Sequence, residues 1–202
     1  MMTSEDMFAV FERSIEDYHV YDDVDTQEQN PYKKGTLEHI LYSKNWIDTV
    51  QWHLEDIIRD PAIAPEKALE IKRRIDKSNQ DRTDMVEQLD ENLLSNFQEN
   101  INNESLPLNT ESPAWAVDRL SILALKIYHM AVEAHREDVE DAKKTQNTHK
   151  LKVLEIQKAD LLLSINQLFS DLQEGKRRVK VYRQMKMYND PELNPVLYAK
   201  KA

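Results

Sequence analysis

At 202 residues the chain is long enough to bury a full core and fits one domain, residues 1–202. Two glycines and four phenylalanines argue against a sandwich or barrel, and the absence of cysteine excludes disulfides and thiolate metal sites. The net charge of −10 is uneven: residues 176–202 carry +6 and the remainder −16, so nucleic-acid binding by the body is disfavoured.

The first helix is expected over residues 4–20, where Met7, Val10, Phe11, Ile15 and Tyr18 recur at helical spacing. The polar stretch "DDVDTQEQNPYKKG" ends it, and Thr36 caps a second helix with the stripe Leu37, Leu41, Ile47, Val50, Leu54 and Ile57. Pro61 stops that helix, and Pro65 opens a third in its first turn, where a missing N–H costs nothing. The third helix has Ala68, Ile71 and Ile75, then nine residues without an apolar stripe (76–84), then Met85, Leu89, Leu93 and Phe97. After the loop "QENINNESLPLNTES", Ser112 and Pro113 start a fourth helix that is apolar nearly all round, which places it centrally. A fifth carries Leu151, Leu154, Leu161, Ile165, Leu168 and Leu172, with Gly175 as a stop or a weak point. Residues 186–201 contain two prolines and read as an extended tail. The expected fold class is all-α: an antiparallel helical bundle of about five helices.

The polar stretch of the third helix raises the question of a site. The short link between the second and third helices makes them antiparallel neighbours. If the turn centres near Ile63, opposed positions sum to about 126, give or take a turn. Arg82 then faces Lys44, Asn79 faces Ile47, and residues 76–84 lie against Tyr42, Asn45, Trp46 and Thr49, with His53 one turn away. The fourth helix adds Asp118, Lys126, His129 and Glu133. The candidate polar pocket is therefore Trp46, His53, Asp56, Asp76, Asn79, Arg82, Asp118 and His129. Asp76, Asn79 and Arg82 are expected to be shielded, with Trp46 and Asp118 among their neighbours. Two other readings stand beside this: a solvated helix face laced with i,i+4 pairs, and buried polar groups that fix the bundle's register.

Read as chemistry, the seam offers carboxylates and imidazoles, with oxygen ligands suited to Mg²⁺ or Mn²⁺. The metal set would be Asp56, Asp60, Asp84 and Glu87, with His53 beside them. Asp84, Glu87 and Asp90 resemble the E-x-x-D half of the all-helical nucleoside triphosphate pyrophosphohydrolases. The partner half, E-x-x-E, is absent; Asp56 and Asp60 stand four apart instead. The leading expectation is that no cofactor is required. His129 and His135 are six apart and make no HxxxH pair, and H-E-x-x-H, Gly-rich phosphate loops and G-x-S-x-G are missing.

The segments "LYSKNWIDTVQWHLEDIIRDPAIAPEKALEIKRRIDKSNQDRTDMVEQLD", "AVDRLSILALKIYHM" and "QMKMYNDPELNPVLY" resemble a bacterial all-helical family of unknown function, over residues 37–198. The "DRLSILALK" segment is similar to a D-K/R-x-S/T-I-L-x-x-K helix of other small helical proteins from the same gene neighbourhoods. Members are often encoded beside glycosyltransferases for lipopolysaccharide or other surface glycans. The resemblance implies an accessory protein in surface-glycan biosynthesis, with a glycosyltransferase or another protein as partner and self-association compatible. The alternative is a metal-dependent hydrolase of nucleotides or nucleotide sugars. The chain lacks an 18-residue apolar run, and its acidic start is unlike a signal peptide, so a cytoplasmic location without a transmembrane segment is expected.

Last, Lys176, Arg177, Arg178, Lys180, Arg183 and Lys186 read as a basic amphipathic segment with Val179, Tyr182 and Met185 on one side. It is expected to dock on the chain's own acidic body, especially the first 31 residues, anchored by Tyr182, Tyr188, Leu193, Leu197 and Tyr198; contact with anionic lipid is the other reading.

Overall fold

The computed structural model describes residues 2–97, 103–183 and 190–199. They form six helices: α1 (Ser4–His19), α2 (Leu37–Ile58), α3 (Pro65–Leu94), α4 (Pro113–His135), α5 (Asp141–Gln173) and the short α6 (Pro195–Tyr198). No strand occurs among the described residues beyond one isolated parallel bridge between Leu108 and Arg178. The all-α bundle expected from periodicity is the fold, and among the described residues no helix is long and apolar enough to cross a membrane.

Local chemistry sets the helix ends. Thr3 and Asp6 form a capping box at α1, Thr3 Oγ1 accepting from the Asp6 N–H at 3.1 Å and Asp6 Oδ2 from the Thr3 N–H at 3.0 Å. Thr36 caps α2, and Pro65 and Pro113 occupy the first turns of α3 and α4. Ser112 does not cap α4 with its own side chain. Asp90 of α3 does so instead, accepting from the Ala114 N–H at 3.0 Å and from Ser112 Oγ at 2.5 Å. Gly175 ends α5: with φ 67° it takes the left-handed conformation, so the Lys176 N–H reaches the Asp171 carbonyl at 2.8 Å.

Helix α4 packs on α1, α2, α3 and α5, as its all-round apolar surface requires. The main core joins Met7, Phe11, Tyr18, Leu41, Leu89 and Leu120, together with residues from α5. A second, smaller core of Leu54, Ile71 and Ile75 lies near the α2–α3 turn. The polar stretch of α3 falls between the two cores, so the seam is the place where the apolar interior is interrupted.

The tail differs from expectation. Residues 177–183 form no helix, so there is no amphipathic helical face there. The described part of the segment docks on the chain's own body at the loop before α4 and, through Arg183, beside Glu87 and Glu91 of α3 at 3.9 and 3.4 Å, rather than at the first 31 residues. The Arg178 N–H donates to the Pro107 carbonyl at 3.0 Å, the Asn109 N–H donates to the Arg178 carbonyl at 2.8 Å, and Val179 is wholly buried in the main core. Tyr182, Leu193, Leu197 and Tyr198, expected as anchors, are exposed. The backbone bridge satisfies polar groups that side-chain attraction to the N-terminal acids would leave open. Tyr188, Met185 and Lys186 lie outside the described residues.

Candidate functional site

On the inner side of residues 76–84, Ser78, Asn79 and Arg82 are polar because they meet polar partners, while Asp76, Lys77, Gln80, Asp81 and Asp84 pair along the exposed side of α3. Gln51 of α2 clasps two α3 residues, its Oε1 accepting from Ser78 Oγ at 3.0 Å and its Nε2 donating to Asn79 Oδ1 at 3.0 Å. One turn further along α3, Arg82 enters a closed set of four charges. It grips Asp118 with Nε on Oδ1 at 3.1 Å and Nη2 on Oδ2 at 2.6 Å, and its Nε also lies 3.1 Å from Asp48 Oδ1. Lys44 Nζ completes the ring, paired with Asp48 one turn along its own helix and with Asp118 Oδ1 at 2.7 Å. Ser121 Oγ donates to Asp48 Oδ2 at 2.6 Å, and Asn45 Nδ2 donates to Ser121 Oγ at 2.9 Å.

The side chains of Lys44 and Asp48 are 0% exposed, that of Asp118 6% and that of Arg82 29%. Two cations and two anions cancel in this largely buried space, which is the condition for tolerating buried charge. Burial acts to raise the Asp118 carboxyl, but the Lys44 ammonium and the Arg82 guanidinium outweigh it and hold the group below the usual carboxylate range. Asp48 goes the other way: complete burial, helped by the charge of Asp118, pushes it up against the pull of Lys44 and Arg82. The four charges tie α2, α3 and α4 together. Each carboxylate meets both cations, so neither is a free general base.

A second polar centre lies farther along α2 and α4. His19 at the end of α1, His53 on α2 and His129 on α4 each bring a ring nitrogen within 4.8 Å of the other two. His53 Nε2 lies 3.2 Å from His19 Nε2, while His19 Nδ1 meets the Ile15 carbonyl at 2.7 Å. Aromatic neighbours fix the rings: Tyr18 stacks on His53 and Trp52 on His129. Burial first, and the neighbouring histidines second, lower both His53 and His129, the latter to about 4.

Of the eight pocket residues expected, the structure brings Arg82 together with Asp118, and His53 with His129; Asn79 joins the seam through Gln51. The rest fall elsewhere. Trp46 sits in the main core, edge-on to Tyr18 and stacked with Tyr42, because its large ring fills apolar space. Asp76 turns outward and pairs with Lys72 on its own helix. Asp56 is exposed at the wall of a groove of about 430 Å³ between α2 and α4, which Gln51, Trp52, Glu55 and Arg82 also line.

The four carboxylates Asp56, Asp60, Asp84 and Glu87 do not converge. Gln51 lies opposite Ser78 and Asn79, and Asp48 lies opposite Arg82, so Asp84 is level with residue 46 and Asp56 is about 15 Å farther along the helix. Asp60 instead accepts from the Ala62 N–H at 2.8 Å, Asp84 accepts from Gln80 at 2.7 Å, and Glu87 lies 3.9 Å from Arg183. An oxygen-rich Mg²⁺ or Mn²⁺ site of that composition is not assembled here.

Sequence pairing places Lys44 opposite Arg82, but Lys44, Asp48 and His19 stand outside the expected pocket. Lys44 and Asp48 continue the row Leu37, Leu41 at i+7 and i+11, so a charge pair on a core stripe was the available signal. His19 follows Ile15 by four in the same way.

The fold and the two polar centres define an all-helical bundle protein with a buried ionic clasp. The chain belongs to the family described as "Protein of unknown function (DUF4254)", whose model matches residues 38–181. No curated protein and no solved structure matches it.

Proposed function

We propose that the protein is an accessory subunit of surface-glycan assembly that works by binding a glycosyltransferase. The observation that carries the association is the outward face of α5. This 33-residue helix buries only Asn147, Ile165, Phe169 and Leu172. On the opposite side, by 3.6 residues per turn, Ile156, Ala159 and Leu163 form a second apolar stripe, with Ile156 62% and Leu163 58% exposed and Val153 beside them at 41%. A contiguous exposed apolar stripe opposite the core face is the kind of surface that a partner covers. The choice of partner rests on the resemblance to proteins encoded beside glycosyltransferases, and a cytoplasmic location is part of the reading.

The hydrolase alternative draws no support from its carboxylates, which lie apart. The test is co-purification with the glycosyltransferase encoded next to the chain, comparing wild type with Ile156→Glu/Leu163→Glu. Loss of the complex with unchanged thermal stability is expected. Retention of the complex by the double variant, or a glycan-independent homodimer lost in the same variant, would overturn it.

A further inference from the structure

We infer that His19, His53 and His129, with Asp22 at their rim, form a binding site for one divalent transition-metal ion of the zinc class. This goes beyond the proposed association and does not depend on it. Three helices, α1, α2 and α4, each deliver one imidazole to a common point, and the ring nitrogens lie within 4.8 Å of one another. Ligands at about 2.0–2.1 Å from a tetrahedral ion stand about 3.3 Å apart. His19 Nε2 and His53 Nε2 are 3.2 Å apart.

The hydrogen bonding around the rings points the same way. Nδ1 of His19, 2.7 Å from the Ile15 carbonyl, is placed to carry the hydrogen, which leaves Nε2 with a bare lone pair facing inward. A carbonyl behind the ligating ring is the usual outer support of a metal-bound histidine. His129 Nε2 is buried and has no hydrogen-bond partner. Such an orphaned nitrogen calls for a missing partner, and a ring nitrogen with a free lone pair is a metal ligand in waiting.

Asp22 supplies the oxygen. It ends the turn after α1 with φ 51°, a left-handed conformation unusual for a side-chain-bearing residue, and its N–H donates to the Tyr18 carbonyl at 3.0 Å. That turn brings Oδ1 to 3.7 Å from His53 Nε2 and 4.0 Å from His19 Nε2, a few tenths of an ångström beyond tetrahedral spacing. Its side chain is largely exposed, so the rim is also the entry path. Three imidazoles and one carboxylate select zinc, cobalt, nickel or copper over magnesium or calcium, which favour oxygen alone.

The experiment uses the full chain, stripped with chelator and titrated with Co²⁺ and with Zn²⁺, with Mg²⁺ as control. Visible absorption of Co²⁺ reports the site directly, and bound zinc is counted after gel filtration. One ion per chain is expected, with the intense bands of a tetrahedral nitrogen-rich site, a raised Tm with Zn²⁺ and none with Mg²⁺. His129→Gln and His53→Gln should abolish the bands. Asp22→Gly, which removes the carboxylate and tolerates the positive φ of this exposed position, should weaken Co²⁺ binding by at least about 10-fold. Absent binding by wild type, or binding that Asp22→Gly and both Gln variants leave unchanged, would show that the three rings are an aromatic packing cluster and overturn the site.

Discussion

Arg82 holds Asp118 by a two-point grip, Nε to Oδ1 at 3.1 Å and Nη2 to Oδ2 at 2.6 Å, and so fastens α3 to α4. The parallel fork geometry resists rotation as well as separation, which a single Lys contact does not. The polar stretch of α3 thus has two sides: Ser78, Asn79 and Arg82 face the interior, while Asp76, Lys77, Gln80, Asp81 and Asp84 form a solvated face with i,i+4 pairs. The price of the inner side is desolvation, offset only while all four charges are present.

Removing one charge should therefore be worse than removing a pair. Lys44→Met leaves Asp48 and Asp118 buried with Arg82 as their one cation, and a loss of about 3–5 kcal/mol is expected in urea unfolding. Lys44→Met combined with Asp48→Leu removes one cation and one anion and retains the Arg82–Asp118 pair. That double variant should lose less than Lys44→Met alone. A double-mutant cycle with additive losses would show that the four groups act independently.

Acid should expose the Asp118 half of the clasp. Its folded value lies below the ordinary one, so it contributes stability that is fully present above the unfolded carboxylate value, about 3.9, and is lost as pH falls through the folded value. The stability gap between wild type and Asp118→Asn is expected to be widest near neutrality and to close on acidification below that point. Asp48, raised by burial, has the opposite sign: its ionisation weakens the fold as pH rises from the ordinary carboxylate value through its own. Asp48→Asn should remove that downward slope. Denaturant midpoints measured across the acid range separate the two.

Most of the fold was legible because helix ends follow from short-range chemistry. Thr36, Pro65 and Pro113 mark starts wherever the chain goes next, and the all-round apolar face of α4 requires a central place. The antiparallel pairing of α2 and α3 was also legible, with opposed positions summing near 130 where 126 was expected, a shift of one turn. The site was only half legible. Arg82 showed within the polar stretch opposite Lys44, and Asp118 as a polar residue on an apolar helix, but nothing singled out Asp48. No spacing announces that His19, His53 and His129 meet, because each comes from a different helix and only the packing of α1 against α2 and α4 joins them. The tail's seat was legible only in part: charge pointed to an acidic partner, which Arg183 finds in Glu87 and Glu91, but one backbone bridge and one buried valine set the place.

Val179 is that valine. It is 0% exposed and belongs to the main core, although its neighbours in sequence are basic and polar. Val179→Ala should destabilise by about 1.5–3 kcal/mol, the value of fully burying such a side chain. Truncation after Gly175 should cost more, since it also opens the Arg178 backbone bridge to Pro107 and Asn109. Equal thermal stability of full-length and truncated chains would show that the docking contributes nothing.

Asp90 supplies the last test, because it caps a helix that is not its own. Its Oδ1 accepts from the Ala114 N–H at 3.0 Å in the first turn of α4, and its Oδ2 accepts from Ser112 Oγ at 2.5 Å. Burial raises the carboxyl, and these two donors pull it back only in part. Asp90→Ala strands a buried backbone donor and a buried hydroxyl at once. Loss of a side-chain cap costs about 0.5–2 kcal/mol, and a buried donor left unsatisfied about 1–3 kcal/mol, so a loss of about 2 kcal/mol or more is expected. Asp90→Asn keeps one carbonyl oxygen and should recover part of it. Hydrogen exchange locates the effect: in Asp90→Ala the amides of the first turns of α4 should lose protection before those at the middle of α2. Uniform loss across both helices would mean that Asp90 acts through global packing and not as the cap of α4.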